Sequence, residues 1–86
     1  MDHDYYTFRS ITRGQLALRY LQAADVKATL VRTPRVLAAE GCGYAIRVRT
    51  GDSAAASRVF AENEVRYQRR FREQNGHFRE VSHGVS

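Results

Sequence analysis

The side chain best suited to covalent chemistry is a lone cysteine, Cys42, set between Gly41 and Gly43. Flanking glycines remove side-chain cover and open turn conformations closed to other residues. A thiol in that setting belongs on a loop within reach of a partner, whereas structural cysteines sit among apolar neighbours. The thiolate is the form that attacks a persulfide, a disulfide or a metal, and nearby cations or a helix N-terminus favour it. Arg32 and Arg35 lie close in sequence and would favour it, while Glu40 would oppose it. The N–H groups of Gly41 and Gly43 could cradle a terminal sulfur anion. The alternative is an inert small residue in a tight turn, and spacing alone leaves both readings open.

Other chemistries lack their residues. A Cys–His hydrolase needs a histidine beside the thiol and a third group to orient it. His3, His77 and His83 all lie near the termini, and no motif ties them to Cys42. One cysteine and three scattered histidines show no zinc-ligand spacing, so no metal is expected. Gly41-Cys42-Gly43 matches G-x-G, but it precedes a strand instead of opening a helix, so the dinucleotide reading fails on context. Glu62, Glu64, Glu73 and Glu80 read as solvated surface, not paired acid–base carboxylates. The chain calls for no cofactor.

Length and charge narrow the field further. At 86 residues the chain holds one small domain. It is 43% hydrophobic and 27% charged, which suits a globular chain. One cysteine makes no internal disulfide, which fits a reducing cytosol. No apolar run approaches a membrane span, and Met1-Asp2-His3-Asp4 is too polar for a signal peptide. A cytoplasmic location without membrane contact is therefore expected. The net charge of +5 comes almost wholly from arginine and invites anions: nucleic acid, an acidic protein partner or small oxyanions.

These residues need elements to hold them. Tyr5-Tyr6-Thr7-Phe8-Arg9 reads as a first strand. Ser10 or Thr12 can cap a helix whose face carries Leu16, Ala17, Tyr20, Leu21 and Ala24, ended by Asp25 in a left-handed conformation. Ala28 to Thr33 reads as a second strand stopped by Pro34. A loop follows to Gly43, with one helical turn between Arg35 and Ala39. Tyr44 to Arg49 alternates as a third strand, and a helix runs from about Ser53 to Asn63. Tyr67 to Phe71 reads as a fourth strand, and Asn75-Gly76 as a hairpin turn into a fifth, His77 to Val81.

Ala17, Leu21 and Val26 match Ala56, Phe60 and Val65, a weak internal repeat. Two β-α-β units of this kind predict an α+β, ferredoxin-like plait of order β-α-β-β-α-β. Its antiparallel sheet would carry both helices on one face, with an extra C-terminal strand. The domain is expected over 5–81, with 1–4 disordered and 82–86 frayed. Alternation places Tyr44, Ile46 and Val48 toward the helices and Ala45, Arg47 and Arg49 on the open face. The same parity puts Arg70 there and makes that face basic. An RNA-recognition module shares this plait, but the third strand here lacks its aromatic signature, which weakens nucleic acid as a partner.

The run Tyr6-Thr7-Phe8, Ser10-Ile11-Thr12, the helix with Ala17 and Leu21, Arg32-Thr33-Pro34-Arg35 and Gly41-Cys42-Gly43-Tyr44-Ala45 resembles the selenium/sulfur carrier-like family of small bacterial domains. The resemblance spans roughly Tyr5 to Tyr67 and is most specific at Pro34-Arg35 and Cys42-Gly43. It implies a thiol that holds sulfur or selenium as a persulfide or perselenide, with Cys42 as the acceptor and Pro34 and Arg35 shaping the site. Such a protein would be a covalent carrier instead of a catalyst, monomeric or homodimeric. It would be loaded by a sulfur- or selenium-mobilising enzyme. The competing readings are a basic binding or oligomerisation module with an incidental cysteine, and a thiol-redox regulator.

Overall fold

The computed structural model describes residues 2–38 and 43–81. β1 (His3–Phe8) leads through α1 (Ile11–Ala23) to β2 (Thr29–Arg32). β3 (Tyr44–Arg49), α2 (Ser53–Glu62), β4 (Arg70–Gln74) and β5 (His77–Glu80) follow. The sheet order is β2-β3-β1-β4-β5, with every pairing antiparallel. β1 and β2 both run opposite to β3 and so run parallel to each other. This is the ferredoxin-like plait, with β5 added outside β4.

Local chemistry sets the element ends. Ser10 caps α1, its hydroxyl accepting from the Arg13 N–H at 3.2 Å. Both helices close in the same way. Val26 N–H donates to Leu21 C=O and Val65 N–H to Phe60 C=O, with Asp25 (φ 60°) and Glu64 (φ 55°) in the left-handed region. These are Schellman closures, and they are what the half-chain repeat encodes. Asn75 and Gly76 both take positive φ in the β4–β5 turn, as a two-residue hairpin requires.

The main core lies between the helices and one sheet face. Tyr6, Phe8, Ile46 and Val48 meet Ala17, Leu21, Ala56, Val59 and Phe60 there. Tyr6 stands edge-on to Phe60 and Tyr67, with ring centroids 5.0 and 4.9 Å apart. A second cluster of Tyr5, Leu37 and Ala45, flanked by Val31, Phe71 and Phe78, occupies the opposite face. That face is thus half apolar, not simply basic.

Two expectations are corrected. β1 begins at His3, and Asp4 is fully buried, so these two residues belong to the domain. β4 runs over Arg70–Gln74, not from Tyr67, because a β-bulge precedes it. Thr7 N–H donates to Arg69 C=O, while Thr7 C=O accepts from Gln68 N–H, so two residues oppose one. The extra residue flips side-chain parity across the bulge. Tyr67 packs with the helix-side core, Phe71 points to the other face, and Arg70 sits opposite Tyr6 on the helix side.

Candidate functional site

Gly41 and Cys42 lie outside the described residues, as does Glu40. What is described is the frame that holds them. Because β1 and β2 run parallel, the end of β1, the start of α1, the end of β2 and the start of β3 share one end of the sheet. The loop 34–42 joins β2 to β3 at that end.

The base of the loop is a continuing ladder. Arg32 pairs with Tyr44, and one step further the Thr33 N–H donates to Gly43 C=O at 3.1 Å. Cys42 is therefore bonded to the residue that closes the hairpin. Gly43 takes no left-handed φ, and a Cβ there would meet nothing within 4 Å, so its backbone does not demand glycine. The Arg32 guanidinium lies 5.7 Å from the Tyr44 ring centroid. The first turns of α1 overlie this corner. A Cβ on Gly14 would sit 4.0 Å from Tyr44 Cβ and 2.9 Å from Leu30 Cδ1, so the helix approaches the sheet as closely as a missing side chain allows.

The first half of the loop is anchored. Pro34 (φ −52°) leads into a 3-10 turn, Arg35–Leu37, with Leu37 N–H donating to Pro34 C=O at 2.8 Å. Leu37 is 7% exposed and packs beside Tyr5 and Ala45, pinning the loop to the sheet face away from the helices. Its neighbour Val36 is 74% exposed, and Arg35 is exposed too. Thr33 Oγ1 is buried with no hydrogen-bond partner among the described residues. Sequence reasoning missed both residues. An isolated leucine in an aperiodic loop was a usable signal for Leu37, whereas nothing in the sequence marks Thr33.

The three arginines assigned to a basic open face separate. Arg47 and Arg49 do lie there, at the far end of β3, beside Tyr5 and His3. Arg70 does not, because the bulge turns it to the helix side. There Arg70 and Arg72 converge on buried Asp4 at 2.9 Å each. Ser53 and Thr50 also donate to that carboxylate, at 2.7 and 2.9 Å. Burial pushes the Asp4 carboxyl up, but the hydrogen bonds from Arg72, Ser53, Arg70 and Thr50 outweigh it and hold the pKa at about 2. This cluster is spent on the fold. No group of metal-binding side chains occurs among the described residues.

The described helices include none long and apolar enough to cross a membrane. No curated protein and no solved structure matches the chain. One family model does, that of the "Putative Se/S carrier protein-like" family, over residues 4–72. That span takes in the first β-α-β unit, the β2–β3 hairpin and α2, and it stops within β4. The chain belongs to that family.

Proposed function

We propose that this protein is a sulfur or selenium carrier. In this reading Cys42 accepts the chalcogen as a persulfide or perselenide and passes it on, without catalysing a reaction itself. The observation that carries the reading is the family match over residues 4–72, which includes the whole loop 34–42 and both strands that hold it. Three features of the frame support it. The hairpin is clamped at Thr33–Gly43, one residue along the chain from Cys42. Arg32 and Arg35 bring positive charge to that corner, which favours a thiolate or persulfide anion. Thr33 Oγ1, next to the clamp, is buried with no hydrogen-bond partner among the described residues.

Loading needs no external oxidant. The Cys42 thiolate attacks the outer sulfur of a persulfide on the donor enzyme. A new S–S bond forms to Cys42, the donor's S–S bond breaks, and the donor cysteine leaves as its thiolate. Delivery to the next acceptor repeats the exchange. The donor is a sulfur- or selenium-mobilising enzyme that binds transiently, in the reducing cytosol where a thiol stays free.

Alkylation of the folded protein at a series of pH values tests the thiol. Cys42 is expected to react at neutral pH faster than a free cysteine, which titrates near roughly 8.5. A thiol that reacts only after unfolding would be structural, and the carrier reading would fall.

A further inference from the structure

The end of the sheet remote from the loop carries a second feature. β3 runs on to Arg49, but β2 begins at Thr29, which pairs with Arg47. Val48 and Arg49 therefore extend past the β2 edge, and the connection from α1 to β2 swings away from them. The gap is a notch of about 630 Å³, lined by His3, Asp25, Lys27, Thr29, Arg47 and Arg49 among others. Three separate segments of the chain supply these groups, so the basic character comes from the fold and not from one charged run.

Backbone parity adds to it. Gly43 C=O points to β2, and residues alternate along an antiparallel strand, so the backbone N–H and C=O of Arg49 also face the β2 side. There they meet the notch instead of a strand. The negative end of α1 is muted, because its last carbonyls already accept from Ala24, Asp25 and Val26. Against three fixed cations and His3 stands one acidic lining group, Asp25. Lys27 and Arg49 are exposed, so their charges are free to reach a ligand.

From this we infer that the notch binds a compact anion bearing two phosphate- or sulfate-type groups, such as a diphosphate. Its volume lies in the range of small-molecule sites. Its cations form a cluster, which suits closely spaced negative groups. No phenylalanine, tyrosine or tryptophan lines it, and with His3 as its one ring it lacks the row of stacking platforms that single-stranded nucleic acid uses. The site lies roughly 20 Å from the hairpin loop, the length of a six-residue strand. It is independent of the carrier reading.

The experiment is calorimetric titration with inorganic pyrophosphate at low salt. It compares the wild-type chain, the double variant Lys27→Ala/Arg49→Ala, and Arg79→Ala as a charge control outside the notch. Saturable binding is expected for the wild type and for Arg79→Ala. A loss of roughly 100-fold is expected in the double variant, from two charge-assisted contacts. Cys42→Ser should bind as the wild type does. Absence of saturable binding overturns the proposal, as does equal weakening by Arg79→Ala. So does RNA binding through Lys27 and Arg49 without any for pyrophosphate.

Discussion

Asp4 shows how one buried residue governs the sheet. Its carboxylate takes hydrogen bonds from β4 through Arg70 and Arg72 and from the start of α2 through Ser53. It joins three elements in a position where an unpaired charge would be prohibitive. Asp4→Asn keeps the shape but removes the charge, and should cost about 3 kcal/mol in denaturant unfolding. The pH dependence has a definite sign. The folded carboxyl titrates at about 2, below its ordinary 3.8, so ionised Asp4 stabilises the fold above pH 3.8. That contribution fades as the pH falls through about 2. Acid unfolding of the wild type should steepen in this window, and Asp4→Asn should show a flatter profile there. Equal slopes would mean the carboxylate is not held as described. None of this was legible beforehand, since an aspartate in a polar N-terminal run looks like solvated surface until the arginines that face it are known.

At the scale of elements, periodicity read well and irregularity did not. The β3 alternation over Tyr44–Arg49, the two helices and the left-handed Asp25 follow from local chemistry and appear as expected. The loop into β4 failed because a bulge at Gln68–Arg69 is a tertiary choice, made where Thr7 offers both backbone groups. That single inserted residue moved Arg70 from one face to the other. The helix ends offer a test. Glu64 sits at φ 55°, a conformation that strains a residue with a Cβ. Glu64→Gly should raise stability by about 1 kcal/mol in thermal or denaturant unfolding, because glycine adopts this conformation without a Cβ penalty. At Gly14 the direction reverses with size. Its Cβ position lies 2.9 Å from the tip of Leu30, so Gly14→Val should cost roughly 1–3 kcal/mol through overpacking of α1 on β2 and β3. A valine variant as stable as the wild type would show that α1 sits farther from the sheet.

On the scale of the whole molecule, the family match ends at residue 72, while the sheet goes on through β5. β5 extends the sheet beyond β4 and adds Phe78 to the face that the helices leave open. Phe78 packs edge-on to Tyr5 at 5.5 Å, and Val81 N–H donates to Arg70 C=O. Phe78→Ala should therefore destabilise the fold by about 2 kcal/mol, less than a fully buried phenylalanine because Phe78 is half-buried. The same face anchors Leu37, so the hairpin braces the loop that leads to Cys42. In the proposed reading, this plait is the frame that carries the Cys42 thiol. Intact-mass spectrometry after incubation with a cysteine desulfurase and cysteine tests that claim most directly. The wild type should gain about 32 Da, one sulfur atom, removable by a thiol reductant, while Cys42→Ser should gain nothing. A wild-type chain that stays unmodified beside an active desulfurase, or a serine variant that gains the same mass, would contradict the carrier role of Cys42.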